Sequence, residues 1–198
     1  ILERNIKYKK VSNPEITIIM TIYNQAHCLH FCLRSIQNQS INNIEIIIVD
    51  DCSLDNSNEI IKEYQKEDPR IIYISHDTNE GTIKSRSEGI RKAKGKYITI
   101  IDGDDAFIHQ AILKDSLYIA KKWNLDIIEF QAVIHKGEKF IRILKNYPSI
   151  NLKYIVHQPE LKTKFINITN NFPDDFMNRA IWAKLIKKKI FKKMLKEV

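Results

Sequence analysis

The sequence predicts an α/β fold in which a mostly parallel β-sheet is flanked by helices. Three apolar runs, at residues 16–21, 44–49 and 97–101, are rich in Ile or Val and do not alternate regularly with polar residues. Such runs are typical of strands that are buried on both faces. Apolar residues at helical spacing lie between the runs, which is the order of repeated βαβ units. Ligands of such sheets bind at the carboxyl ends of the strands, so we expect the functional residues there.

The individual elements follow from local patterns in chain order. After the first strand, Leu29, Cys32, Leu33 and Ile36 recur at helical spacing and predict a helix. The later patterns predict strands at 44–49, 71–75, 97–101 and 127–134, and helices from about 57 to 65, at 82–92 and at 112–123. Further on, the sequence indicates a hairpin turn at Lys136 and Gly137, a loop-rich stretch at 145–175 and a helix from Asn178 onward.

Composition excludes several classes of protein. The chain of 198 residues has five glycines and five prolines, unlike collagen-like or low-complexity chains. Mean hydropathy is -0.33, and no apolar run approaches the ~18–20 residues of a bilayer span, so neither a transmembrane segment nor a signal peptide is predicted. Three cysteines are too few for a disulfide scaffold. We therefore expect a reducing location, in the cytoplasm or at the cytoplasmic face of a membrane.

The formal net charge of +8 is concentrated at residues 184–198, which hold seven lysines and one glutamate. The rest of the chain is close to neutral, with 25 basic and 23 acidic residues. Because the basic segment lacks the interleaved aromatic residues that stack on bases, a nucleic-acid partner is not expected. A terminal helix with solvated lysines is expected instead. Its apolar residues would offer a weak membrane-surface contact through Ile186, Ile190, Phe191 and Leu195.

Acidic residues cluster after two of the predicted strands. Asp50 and Asp51 follow the second, and the segment 102–105 (DGDD) follows the fourth. Because like charges placed so close repel, a cation or a set of hydrogen-bond donors between them is indicated. Carboxylate oxygens favour Mg²⁺ or Mn²⁺, which bind through one or two carboxylates plus substrate phosphates. A single acidic turn more often only ends a strand, and the second acidic strand end is what favours a metal site.

Two common phosphate-binding loops do not occur in the sequence. No G-x-G-x-x-G follows the first strand, and there is no G-x-x-x-x-G-K-[ST]. A bound phosphate would therefore be neutralised by a metal ion, by Arg86 or by both. The segment 27–32 (HCLHFC) suggests zinc, but one helix cannot close four ligands around an ion. Buried cysteines that pack on the sheet are the better interpretation.

Five short motifs occur in an order and spacing that resembles family 2 glycosyltransferases of the GT-A fold. They are residues 18–24 (IIMTIYN), 49–55 (VDDCSLD), 79–90 (with NEG and SRSEGI), 93–97 (AKGKY) and 102–105 (DGDD). Residues 182–185 (WAKL) are similar to a later segment of many members. The resemblance covers roughly residues 14–123. The chain departs from the family pattern at Thr21, where proline is usual, at Cys52 for glycine, at Ser85 for alanine and at Ser87 for asparagine.

The resemblance implies inverting transfer of a hexosyl or N-acetylhexosaminyl group from a nucleotide diphosphate, usually UDP, to a hydroxyl of a glycan or other acceptor. Polysaccharide or glycoconjugate biosynthesis is the implied role. Asp51 would recognise the base, Tyr23 would pack beside it, and Asp104 would hold Mn²⁺ or Mg²⁺ on the diphosphate. Asp102 would contact the ribose or the metal. The other nucleotide-binding residues that the resemblance implies are Thr21, Asn24, Arg86 and Gly103.

The resemblance also divides the chain into a GT-A nucleotide-sugar-binding core at 1–135 and an incomplete acceptor-side region at 136–198 that ends in the basic helix. An inverting transfer needs a carboxylate that takes the proton of the acceptor hydroxyl. In the family it commonly follows the segment that 182–185 resembles, so we expect the base beyond Val198 or, from an unusual position, at Asp175. The alternative function is a module that binds a sugar nucleotide or a partner without catalysis.

Overall fold

The computed structural model describes residues 8–107, 109–129, 133–136, 139–143 and 184–194. The strands are β1 (Ile16–Ile22), β2 (Ile44–Asp50), β3 (Ile71–Ser75), β4 (Tyr97–Asp102), β5 (Ile127–Glu129), β6 (Val133–Lys136), β7 (Lys139–Ile143) and β8 (Lys184–Lys187). The helices are α1 (Ala26–Gln37), α2 (Ser57–Glu67), α3 (Thr82–Lys92), α4 (Ile112–Lys122) and α5 (Lys188–Met194).

Six of these strands form one sheet in the order β3-β2-β1-β4-β8-β5. The pairs β1–β2, β1–β4 and β2–β3 are parallel. Their register places Ile22 beside Asp50 and Thr21 beside Asp102, so that three strands end at one edge of the sheet. The predicted α/β fold with a mostly parallel sheet is confirmed.

Helices cover both faces of this sheet, and every residue of β1 and β2 is therefore buried. On one face Ile18 belongs to a core with Leu33 of α1 and with residues of α2 and α4. On the other face Ile19 belongs to a core with Ile90 of α3 and Phe191 of α5. The uninterrupted apolar runs of the sequence thus reflect burial from two sides.

The C-terminal segment differs from the helix that the sequence predicts from Asn178 onward. Residues Lys184–Lys187 form β8, which lies antiparallel between β4 and β5 and pairs Ile186 with Ile98 and Ile127. The helix α5 begins only at Lys188. The prediction was wrong at 184–187, because β8 is held by partners far earlier in the chain that a local pattern does not report. It agrees with α5 at 188–194, and residues 178–183 lie outside the described part of the chain.

Side chains of this segment take part in the core and in ion pairs. Ile186 and Phe191 are each 1% exposed and cannot reach a membrane surface. The predicted membrane contact through these two residues is therefore wrong. The Nζ atoms of Lys187 and Lys189 lie 2.9 and 2.8 Å from Oδ1 of Asp126. Not all of the tail's lysines are therefore simply solvated. No helix in the described part of the chain is long and apolar enough to cross a membrane.

A separate antiparallel hairpin consists of β6 and β7. It agrees with the turn predicted at Lys136 and Gly137, although Gly137 itself lies outside the described residues. The strand predicted at 127–134 is therefore divided between β5 in the main sheet and β6 in the hairpin. The domain boundary at residues 135–136 stays a prediction, and β8 lies beyond it in sequence but in the same sheet as β1–β5.

Candidate functional site

A pocket of about 350 Å³ opens at the edge of the sheet where β1, β2 and β4 end. Carboxyl ends of parallel strands are where such sheets place polar loop residues. The lining residues are Thr21, Ile22, Tyr23, Gln25, Asp51, Thr82, Ser85, Arg86, Asp102 and Asp104. The structure thus brings together most of the side chains that the sequence singles out, from segments far apart in the chain.

Asp102, at the end of β4, is held by two neighbouring side chains. The hydroxyl of Thr21 donates a hydrogen bond to Asp102 Oδ1 over 3.1 Å. Arg86 Nη2 lies 2.8 Å from Oδ1 and 2.9 Å from Oδ2 of the same carboxylate. Arg86 is only 3% exposed, but the Asp102 side chain is 33% exposed, so water partly screens this ion pair. Arg86 therefore offsets the charge of Asp102 and fixes its orientation.

Gly103 lies too close to the loop after β1 for a side chain to fit. A Cβ atom there would stand 2.3 Å from Gln25 Oε1 and 2.7 Å from Ile22 Cγ2. The Gly103 N–H donates to the Thr21 carbonyl over 3.3 Å. Gly103 is not among the residues that line the pocket, but its close packing supports the turn that presents the exposed Asp104 there.

The acids of this turn affect one another. Partial desolvation and the charges of Asp104 and Asp102 raise the pKa of Asp105 to about 6, although the side chain keeps contact with solvent. In the described part of the chain, no group of three or more His, Cys, Asp or Glu side chains is arranged to bind a metal. A divalent ion that takes one or two carboxylates and completes its shell with phosphate oxygens would fit Asp104, with Asp102 beside it.

Asp51, at the end of β2, is 5% exposed and is surrounded by hydrogen-bond donors. Its Oδ1 accepts from the Glu80 N–H and from His76 Nδ1, each over 2.8 Å, and its Oδ2 accepts from the Gly81 N–H over 2.7 Å. Burial acts to raise the pKa of Asp51, but these hydrogen bonds outweigh it and hold that pKa below its ordinary value. Asp51 is therefore an anion that is anchored to the start of α3.

His76 is a residue of this site that the sequence reasoning missed. Its Nε2 lies 2.8 Å from Glu88 Oε2, and its side chain is 7% exposed. Burial acts to lower the pKa of His76, but the hydrogen bonds to Asp51 and Glu88 outweigh it and raise that pKa. The signal that could have found His76 is its place in the sequence. It directly follows β3, just as Asp51 follows β2.

Tyr23 and Asn24 follow β1 but have different surroundings. Tyr23 lines the pocket and is 46% exposed, so its ring is accessible to a ligand. Asn24 has a φ of 53° and is not among the lining residues. Its side-chain oxygen accepts from the Leu54 N–H over 2.8 Å, and its own N–H donates to Ser53 Oγ over 2.9 Å. Asn24 therefore joins the loops after β1 and β2, and its contact with a nucleotide stays a prediction.

The three cysteines are unpaired. The thiol of Cys32 is buried in the core and lies 3.3 Å from Met20 Sδ, in agreement with the interpretation of this cysteine as buried. Cys52, which stands where the family resemblance expects glycine, adopts a φ of 68°. Its Sγ lies 3.4 Å from the carbonyl oxygen of Asp77. The turn after β2 thus keeps a left-handed conformation, which favours glycine, with a cysteine in it.

The loop-rich stretch predicted at 145–175 lies outside the described residues, and so do two elements of the functional interpretation. Asp175, the candidate general base, lies outside the described residues. So do Trp182 and Ala183, the first half of the segment that is similar to a later family motif. Both stay predictions.

The sequence matches Glycosyl transferase family 2 over residues 17–195. The glycosyltransferase GlyA of Streptococcus pneumoniae serotype 4 is 40% identical over 128 residues, which are 65% of this chain and 17% of GlyA. The uncharacterized glycosyltransferase MJ1057 of Methanocaldococcus jannaschii is 32% identical over 191 residues, which are 93% of this chain and 60% of MJ1057. The chain therefore spans only part of the length of these relatives.

Solved structures share the fold. Staphylococcus aureus TarS 1–349 aligns with a TM-score of 0.63 at 20% identity, over 90% of this chain and 48% of that one. Its complex with UDP aligns with a TM-score of 0.54 at 26% identity, over 57% and 34%. The mannosyltransferase PcManGT from Pyrobaculum calidifontis, solved with GDP-Man and Mn²⁺, aligns with a TM-score of 0.55 at 18% identity, over 65% and 39%.

The structural neighbours are GT-A transferases, which confirms the predicted fold type. The family match extends across nearly the whole chain, and four of the five motifs that suggested it contribute residues to one pocket. Sequence and structure agree, and the chain belongs to glycosyl transferase family 2.

Proposed function

We propose that this chain is the donor-binding part of a glycosyltransferase whose donor is a nucleotide diphosphate sugar, specifically a UDP-sugar. The observation that carries the proposal is the single pocket shared by Asp51, Asp102 and Asp104. One strand end offers an anchored carboxylate suited to a base, and another offers carboxylates suited to a metal-bound diphosphate. The neighbour TarS was solved with UDP and with UDP-GlcNAc, which supports the choice of UDP.

On this proposal Asp51 accepts the imide N–H of uracil. It is anionic and fixed in place by three donors, so it can receive a further N–H without reorganising. The exposed ring of Tyr23 covers the base, and Thr21 lies beside it. Asp102 contacts the ribose or the metal. Arg86 helps to neutralise the phosphates, and its hydrogen bonds to both oxygens of Asp102 hold that carboxylate in position.

Asp104 would hold Mn²⁺ or Mg²⁺ on the diphosphate, because its carboxylate is exposed at the pocket and offers hard oxygen ligands. Such an ion withdraws negative charge from the departing nucleotide diphosphate. PcManGT, which shares the fold, was solved with Mn²⁺. The metal dependence of this chain is thus part of the proposal.

For the acceptor side we propose a hydroxyl of a glycan or glycoconjugate, with inversion at the anomeric carbon. Asp175 is the candidate for the carboxylate that takes the hydroxyl proton. A reducing, cytoplasmic location belongs to the same proposal and is supported by three unpaired cysteines. A panel of sugar donors, with transfer and hydrolysis measured for each, separates this enzyme from the alternative of a module that binds without turnover.

Calorimetric titration of UDP tests the central claim. We expect UDP to bind in the presence of Mn²⁺ and to lose most of its affinity when EDTA is added. Asp104→Asn should reduce the affinity measured with Mn²⁺ by about 10-fold or more, because losing even a group that only supports a metal ligand costs about 10–100-fold. Equal affinity with and without EDTA would contradict the metal's role.

The matched control for Asp104→Asn is Asp115→Asn. Asp115 is an exposed carboxylate in the first turn of α4 and is not among the residues that line the pocket. We expect UDP affinity and its dependence on Mn²⁺ to remain unchanged in this variant. An equal loss in both variants would assign the effect to overall charge.

A further inference from the structure

The carboxylate of Asp51 has little capacity left for a ligand. A carboxylate offers about four lone-pair positions, two on each oxygen. Among the described residues, Oδ1 accepts two hydrogen bonds, from His76 and from the Glu80 N–H, and Oδ2 accepts one, from the Gly81 N–H. Oδ1 is therefore saturated, and one acceptor position remains, on Oδ2.

The partners of His76 determine its protonation. Nδ1 lies 2.8 Å from Asp51 Oδ1, and Nε2 lies 2.8 Å from Glu88 Oε2. Since an ionised carboxylate only accepts hydrogen bonds, both ring nitrogens must donate, and the ring is an imidazolium. The charged groups around it are Asp51, Glu80 and Glu88, with Lys84 and Lys92 paired to the two glutamates. The carboxylates outnumber the lysines, so the surroundings favour the cation.

We propose that His76 is a specificity-determining residue of the base pocket: by occupying Oδ1 of Asp51, it leaves one acceptor position for the base and so selects a pyrimidine with one imide N–H. The proposal rests on the proposed function, in which Asp51 receives the N–H of the base. His76 acts through Asp51 and is not itself among the residues that line the pocket.

The chemistry of the bases explains the selection. Uracil and thymine each present one imide N–H between two carbonyl oxygens. Guanine presents two adjacent donors, on N1 and N2, which bind a carboxylate best through both of its oxygens. With Oδ1 saturated, the second donor of guanine meets no free acceptor, and an unpaired polar group in a buried site lowers affinity. His76 therefore disfavours GDP more than it favours UDP.

The test is the ratio of the dissociation constants of GDP and UDP, measured by calorimetry with Mn²⁺ on the full chain. We expect the wild type to prefer UDP by about tenfold or more. His76→Ala removes the donor, and His76→Leu removes it while filling most of the ring's volume, so both should reduce the preference about tenfold. His76→Gln keeps an N–H for Oδ1 and should retain the preference. Circular dichroism establishes which variants are folded.

A second measurement needs no variant. In the wild type, ¹⁵N chemical shifts of the His76 ring at neutral pH should show both nitrogens protonated, and an unprotonated Nδ1 would overturn the proposal. So would equal binding of UDP and GDP by the wild type, or an unchanged ratio in a folded Ala or Leu variant. If the wild type bound neither nucleotide, the proposed function itself would fail, which is a different result.

Discussion

Asp51 combines a structural contact with a proposed contact to the ligand. Its carboxylate binds the backbone N–H groups of Glu80 and Gly81, which directly precede α3. Removing it would leave these two N–H groups and the His76 ring without their acceptor. Of these donors the His76 side chain is 7% exposed, and a buried group left unpaired costs about 1–3 kcal/mol. A loss of nucleotide affinity in an Asp51 variant is therefore informative only when the stability of that variant is measured as well. This coupling also makes His76 the better probe of specificity.

We expect the free energy of unfolding to fall as the pH rises past neutrality, because of His76. Burial lowers the pKa of His76, but its hydrogen bonds to Asp51 and Glu88 raise it above the ordinary value of 6.5. Such a group stabilises the fold fully below its unfolded pKa, and that contribution is lost as the pH rises through the folded pKa. Urea unfolding from about pH 6 to about pH 9 should show the fall in the wild type and a smaller one in His76→Gln. Identical profiles would contradict the assignment.

The first residues of α1 and α2 form hydrogen bonds with the side chain of Asp55, which lies in the loop after β2. The Ala26 N–H at the start of α1 donates to Asp55 Oδ2 over 2.8 Å. The other oxygen of Asp55 accepts from the N–H of Ser57, the first residue of α2, over 3.0 Å. Asp55 therefore supplies acceptors to the starts of two helices, where backbone N–H groups lack partners within the helix. This contact fixes the loops after β1 and β2 relative to each other.

The strand β8 and the helix α5 contribute stability that Phe191→Ala should reveal. Phe191 is 1% exposed and packs in the core beneath β1 and β4, so its truncation should reduce the free energy of unfolding by about 3–5 kcal/mol. The control is Phe31→Ala, because Phe31 is 70% exposed and the change should be within about 0.5 kcal/mol. Chemical denaturation measures both. If Phe191→Ala changed the free energy of unfolding only slightly, α5 would instead be the solvated surface helix that its sequence suggests.

The elements that the sequence predicted well are those with a strong local signal. The strands β1, β2 and β4 are long, buried on both faces and bounded by turns, and their predicted and observed ends differ by one residue. By contrast, β8 has four residues, two of them lysines, and lies in a segment whose local composition favours a helix. Only its pairing with β4 and β5 makes it a strand. That information is tertiary, so the local sequence did not contain it.

Across the whole molecule, the position of the site was predictable and its internal bonding was not. Asp51, Asp102 and Asp104 were found because strand ends of a parallel sheet gather at one edge. The contact of His76 with Asp51 and the ion pair of Arg86 with Asp102 depend on side-chain directions that no spacing rule gives. The sequence thus predicts where the pocket lies. Only the structure shows how many acceptor positions of Asp51 are already occupied, and the inferred base specificity depends on that number.

Nucleotide binding should stabilise the whole chain in one step. The pocket takes residues from β1, from the ends of β2 and β4 and from α3, so the unfolded chain retains no part of it. At a concentration of about 100 times Kd, UDP with Mn²⁺ should then add about 2.7 kcal/mol to the free energy of unfolding. For a chain of this size that corresponds to a rise in Tm of about 5–11 °C.

Differential scanning calorimetry measures this shift, with Asp51→Ala as the comparison. That variant lacks the carboxylate proposed to receive the base, so we expect its Tm to rise much less at the same concentration of UDP. Mn²⁺ alone should shift neither protein by a comparable amount, because Asp104 and Asp102 need phosphate oxygens to complete the metal's shell. A full shift with Mn²⁺ alone would point to a metal site that is independent of the nucleotide. If UDP raised the Tm of Asp51→Ala as much as that of the wild type, the proposed contact between Asp51 and the base would be wrong.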